Sequence, residues 1–199
     1  VAFLGACNFV LAKVKSWSLV ADRSRAAVER RQAATAAIAE FAREVAAASP
    51  KSLAPPGTLD PINAVAARAR GSKDAATSLL MDILRRSLKS NEALNCLTGF
   101  VKPFPELMSE VDGLFASKAK PGMLHGLPVS IKECLGIEGQ DATIGTARRV
   151  GKLCSADAAL LTVLRQQGAV VFARTNIPQT MLSYECSNPV YGQTLNPHS

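Results

Sequence analysis

Apolar and polar positions divide the chain into an Ala-rich helical front and a rear that carries short apolar strands. Val1 to Ala12 reads VAFLGACNFVLA, apolar apart from Asn8, and Lys13 and Lys15 follow it. This run is shorter than the roughly 20 residues that cross a bilayer. It reads as the cytosolic end of a transmembrane helix that begins upstream, with positive charge on the inner side. A signal-peptide h-region has about this length, but its charge would lie on the other side and an A-x-A-like site would follow. A buried helix is the plain alternative.

Asp22 to Ala48 holds neither Gly nor Pro and is rich in Ala and Arg, which predicts a helix. Ile38, Phe41 and Val45 give it one thin apolar stripe, so it reads as a solvated helix linking anchor to globule. Pro50, Pro55, Pro56 and Gly57 break it and mark the linker. Asp60 as N-cap before Pro61 opens the next helix, which Gly71 ends. Leu79, Leu80, Ile83, Leu84 and Leu88 predict an amphipathic helix of about four turns. A further helix is expected over Glu106–Ala119, with Leu107, Val111 and Leu114 on one side.

After Pro121 the periodicity changes. Leu127–Lys132 is a short run bounded by Gly126 and Gly136, which reads as a strand. Asp157–Gln167 reads as a helix with Ser155 as N-cap, Leu160, Leu161 and Leu164 inward, and Gly168 just past its end. Ala169–Phe172 is wholly apolar, as in strands buried in parallel sheets. Strand, helix and strand in this order form a βαβ unit, so the class is α/β.

Charge adds one point. The 23 Lys and Arg against 16 Asp and Glu leave +7, with much of the surplus at Lys13, Lys15, Arg23, Arg25, Arg30, Arg31 and Arg43. No aromatic residue interleaves with the arginines from Arg23 to Arg31, so an anionic membrane surface suits them and nucleic acid does not. Five cysteines without a C-x-x-C pair suggest neither a disulfide framework nor a zinc site, and no phosphate- or dinucleotide-binding glycine pattern occurs, so no cofactor is implied. His125 and His198 read as ordinary turn residues.

Alternation on the first strand puts Val129, Ile131 and Glu133 on one face, and Ser130 and Lys132 on the other. The strand reads as central, and a buried lysine there is costly unless neutralised or paired. By spacing alone, a strand-end lysine reaching solvent or paired with a carboxylate is the better explanation of Lys132.

The segment G-L-P-V-S-I-K-E at Gly126–Glu133 resembles the lysine-bearing strand of the amidase signature family. Gln167–Gln179, QGAVVFARTNIPQ, is similar to that family's next strand and loop. Met181–Pro189 and Gly192–Pro197 resemble more narrowly its animal fatty acid amide hydrolase branch, as does Gln179 where other amidases carry a glutamate. The resemblance runs from about Leu94 to Ser199.

It implies a mixed sheet core flanked by helices, of which these residues form the N-terminal part, preceded by a helical membrane anchor. The expected organisation is an anchor over 1–21, a basic helix and linker over 22–56, and part of a catalytic domain over 57–199. The implied chemistry is amide hydrolysis by a Ser-cis-Ser-Lys triad, with Lys132 as general base and both serines in a Gly/Ser-rich segment past the N-P motif. A lysine serves as base near neutral pH only as its neutral amine, a form that an apolar cavity favours. Met181 and Leu182 are expected to line the acyl side of the substrate site, against a reading in which both merely fill the core. The implied partners are a fatty acid amide substrate and a membrane surface, with a homodimer left open, and the expected location is an endomembrane with the catalytic part facing the cytoplasm. A general amidase or glutamyl-tRNA amidotransferase A-type subunit is the second enzymatic reading. A catalytically dead fragment acting at a membrane surface is the non-enzymatic one.

Overall fold

The computed structural model describes residues 2–48, 61–117 and 120–198, with side chains from Leu19 onward. The Pro-rich stretch 49–57, Asp60, Ala119 and Ser199 lie outside the described residues.

Helix α1 runs unbroken over Ala2–Ala48. It is not a solvated linker. Ala27, Ala34, Phe41 and Val45 are buried along one face, and the helix packs against residues of four other elements. The two alanines extend the short Ile38–Phe41–Val45 stripe toward the N-terminus, and their small side chains let the helix lie close to its neighbours. Phe41 stacks on Phe100 with ring centroids 3.6 Å apart and meets Phe104 edge-on. Two of its basic residues bond within the chain: half-buried Arg30 pairs with Asp141 at 2.9 Å, and exposed Arg31 donates to the Pro189 carbonyl. Among the described residues no helix is long and apolar enough to cross a membrane.

Helix α2 (Ile62–Gly71) begins with Pro61 itself at the N-cap position, one residue later than the Asp-Pro pattern suggests. Helix α3 (Lys73–Leu94) is longer than the four turns that its leucines indicate. Ser72 caps it by accepting from the Ala75 amide, and Asn95 ends it in the left-handed region at φ 53. Leu79, Leu80, Leu84 and Leu88 are buried as their spacing requires. Helix α4 (Phe104–Ala116) buries Leu107 and Val111.

Three strands form the main sheet in the order β1–β3–β2. Strand β2 (Pro128–Lys132) is parallel to β3 (Val170–Thr175), with Lys132 opposite Thr175. Strand β1 (Leu97–Phe100) adds to the other side of β3, antiparallel. Central position therefore belongs to β3, whereas β2 is the edge of the three described strands. The five buried residues of β3 reflect cover on both faces. Val170 and Phe172 join the cluster built by α1, α3 and α4, while Val171 joins Ile131, Ile137 and Leu161 on the side of α5.

Helix α5 (Ala159–Gln166) is shorter than expected, and Ala158 rather than Ser155 holds its N-cap position. Asp157 is occupied elsewhere: its carboxylate accepts from the Glu138 amide and pairs with Arg165. Leu161 is buried, but Leu160 is exposed, because a single-faced helix of two turns turns only one of two consecutive leucines inward. Gly168 follows at φ +80, and a Cβ there would stand 2.9 Å from the His125 Cα, so the turn demands glycine. His125 is a turn residue, buried edge-on against Phe115.

Candidate active site

Parallel pairing brings the carboxyl ends of β2 and β3 to one edge of the sheet, the edge at which open α/β sheets place ligands. Lys132 ends β2. After Thr175 the chain passes Asn176 and Pro178 and turns through a short 3-10 segment at Gln179–Met181. Both sequence-predicted parts of the site therefore leave the sheet at the same edge.

The alternation read from the sequence holds on β2. Ile131 and Glu133 are buried, whereas Ser130 and Lys132 are exposed. Lys132 faces solvent rather than an apolar cavity among the described residues. Met181 and Leu182 are 48% and 86% exposed, so neither is a core residue. Tyr184 beside them is fully exposed, which makes this turn an apolar surface at the sheet edge.

Beneath that surface lies a buried polar network. Glu133 is 0% exposed. Its Oε1 accepts from the Thr143 amide at 2.6 Å and from the Tyr191 hydroxyl at 3.3 Å, and its Oε2 accepts from the Ile144 amide at 2.9 Å. A buried carboxylate is tolerated when donors satisfy it in this way. The Ile144 carbonyl in turn accepts from the Thr180 amide at 3.0 Å. Ile144, Thr180 and Met181 all adopt positive φ, at 51, 55 and 59°. Such conformations are rare outside glycine and cluster at functional sites.

Asn176 and Asn188 brace the same region. Asn188 Nδ2 donates to Asn176 Oδ1 and to the Ile177 carbonyl, both at 2.8 Å, while its Oδ1 accepts from the Val190 and Tyr191 amides. Asn176 Nδ2 reaches the Gly192 carbonyl and Thr194 Oγ1. These bonds seat the hairpin of β4 (Ser187–Asn188) and β5 (Gly192–Gln193) against the end of β3. Gly145 permits this closeness: a Cβ on it would stand 2.7 Å from the Asn188 Cβ.

Charge is balanced around Tyr191. Burial, and next the charge of Glu133, push its phenol above the ordinary value, against the opposing pull of Arg30 and Arg174. It therefore stays a hydroxyl donor at neutral pH. Burial disfavours the Arg30 charge, but Tyr191 and Asp141 outweigh it and raise the guanidinium further. Burial also pushes the Cys96 thiol up, which argues against Cys96 as a nucleophile. Among the described residues no group of three His, Cys, Asp or Glu could hold a metal ion.

Sequence reasoning singled out Lys132, Met181 and Leu182 and missed Glu133, Tyr191 and the Asn176–Asn188 pair as supports. The asparagines stood within the motifs, directly after a strand and before a proline, where Asn commonly bonds backbone groups. Nothing local marked Tyr191, whose partner is 58 residues away.

A mixed three-stranded sheet backed by helices is an α/β arrangement. The chain belongs to the amidase family, whose model matches residues 78–199. It is 35% identical over 137 residues to fatty-acid amide hydrolase 1 of Sus scrofa, a match covering 69% of this chain and 22% of that protein. It is 36% identical to the vitamin D3 hydroxylase-associated protein of Gallus gallus, covering 60% of this chain and 25% of the relative. Acetamidase of Aspergillus oryzae is 35% identical, with 58% and 22% covered. The chain thus spans about a quarter or less of the length of these relatives. Among solved structures, a fatty acid amide hydrolase superimposes with a TM-score of 0.65 at 18% identity, over 87% of this chain and 34% of that one. That likeness concerns the fold.

Proposed function

We propose that this chain is part of a membrane-associated serine hydrolase that cleaves fatty acid amides, to which it contributes the general base and part of the acyl site. The observation that supports this most is the shared sheet edge: Lys132 ends β2 where the exposed Met181 and Leu182 follow its parallel partner β3. In this reading the neutral amine of Lys132 takes a proton from a bridging serine, which takes one from the attacking serine. The new Ser Oγ–carbon bond forms as the carbonyl becomes an oxyanion; the C–N bond then breaks, and the amine leaves with the proton returned along the same relay. Water repeats the sequence to release the fatty acid. In this reading further residues cover Lys132, since an apolar surrounding favours the neutral amine. Both serines, in the same reading, belong to the Gly/Ser-rich segment that follows the N-P motif in the family.

Similarity to a fatty-acid amide hydrolase supports the substrate class, while similarity to an acetamidase makes short amides the competing one. The basic, partly apolar front of α1 suits a membrane surface facing the cytoplasm. The deciding experiment is Lys132→Ala in the complete gene product carrying these residues, assayed on long-chain and short-chain amides near pH 7. The expected loss is at least about 10²-fold, as general base catalysis contributes typically 10²–10⁴-fold. A rate within tenfold of the parent would remove Lys132 from the mechanism.

A further inference from the structure

We propose that Glu133 is the positioning residue of this site, setting at once the strand end that carries Lys132 and the turn that carries Met181. The proposal rests on the reading of Lys132 as the base.

The main chain at Glu133 continues the pairing of β2 past its last residue, since its amide donates to the Thr175 carbonyl at 3.0 Å. Its side chain leaves the sheet on the face opposite Lys132 and is buried there. A carboxylate is a poor choice for filling that space, because an apolar side chain of similar size would avoid the desolvation. What it supplies is acceptors. One oxygen holds the Thr143 amide and the other holds the Ile144 amide, a fork that fixes the peptide between them.

That fixed peptide is the link to the second turn. Ile144 is β-branched and held at φ 51, a conformation that persists only when surrounding bonds impose it. In this geometry its carbonyl receives the Thr180 amide, and Thr180 and Met181 are themselves left-handed. The chain of bonds therefore runs from Glu133, through Ile144, to the turn carrying Met181. Tyr191 closes the fork from the other side and, with its phenol pushed up, keeps donating through the neutral range. Lys132 and the turn thus share one buried anchor, and loosening it must move both.

The test uses Glu133→Gln in the complete gene product. Glutamine keeps the size but sets an NH₂ group against one of the two amides, opening the fork. Hydrogen exchange is read at the Thr143, Ile144 and Thr180 amides, and kcat and KM are measured on a long-chain and a short-chain amide. Exchange at all three positions is expected to quicken at least tenfold. The kcat should fall at least tenfold on both substrates, while KM rises on the long-chain amide alone. If Thr143 and Ile144 quicken but Thr180 does not, Glu133 pins only its own loop and the proposal is wrong. A loss of rate that merely follows the folded fraction, with KM unchanged on both amides, would likewise reduce Glu133 to a structural role. Should the Gln variant fail to fold, Tyr191→Phe removes the 3.3 Å bond to Glu133, together with the hydroxyl's contact with Arg30, and should quicken the same three amides severalfold; unchanged exchange there overturns the proposal. If Lys132→Ala keeps full activity while Glu133→Gln still frees Thr180, the base assignment fails and the anchoring of the turn stands.

Discussion

Truncating Phe41 to alanine tests whether the front helix belongs to the folded core. Phe41 is 4% exposed on α1, parallel to Phe100 from the strand β1 and perpendicular to Phe104 at the start of α4. Its ring also joins Leu80, Leu84 and Leu107 in the largest apolar cluster. Three separate elements therefore meet on one side chain. Phe→Ala changes at such sites cost about 3–5 kcal/mol, the transfer of the ring plus the cavity left behind. Within that, each aromatic pair accounts for about 0.5–1.5 kcal/mol. At about 1.4 kcal/mol per tenfold, local opening of α1 should become more frequent by two to three orders of magnitude or more. Hydrogen exchange on the complete gene product, read over residues 27–48, measures this directly. Val28 on the same helix is 53% exposed, so Val28→Ala serves as the control and should leave protection nearly unchanged. If Phe41→Ala also left protection over 27–48 within about threefold of the parent, α1 would be a linker after all and its packing energetically idle.

Two further outcomes follow from the site. Because burial and Glu133 raise the Tyr191 phenol above its ordinary value of 10.0, its contribution is fully present below that pH and is lost as pH rises through the folded value. The stability gap between the parent and Tyr191→Phe should therefore stay constant from neutral pH to about 10 and narrow above it in denaturant titrations; a gap that held level into strong alkali would place the phenol in water. Met181→Ala should raise KM for long-chain amides by an amount reflecting about 1–3 kcal/mol of lost apolar contact and leave short amides nearly untouched, whereas equal losses on both would take Met181 out of the acyl site.

Local pattern alone determined a good deal of this protein. The apolar run at Ala169–Phe172, the leucines of α3 and the alternation along β2 each repeat within one element, and the element obeys its own period wherever it lies. That is why the βαβ unit, the inward leucines at 80 and 84, and the opposite facing of Lys132 and Glu133 could be read before any coordinates. Strand β1 escaped notice because L-T-G-F is too short to show a period and contains a glycine. Tertiary structure decided everything that depends on partners far along the chain. Arg30 reads as a membrane-facing charge until Asp141, 111 residues away, arrives beside it. Ala27 and Ala34 carry no strong hydrophobic signal, yet a hairpin and a loop close over them and bury both. Glu133 reads as a charge turned away from a lysine, and only the returning loop at Thr143 and Ile144 makes it an anchor. Periodicity is set by bonds within a helix or strand, whereas the worth of a polar side chain is set by whichever donors and acceptors the fold brings to it.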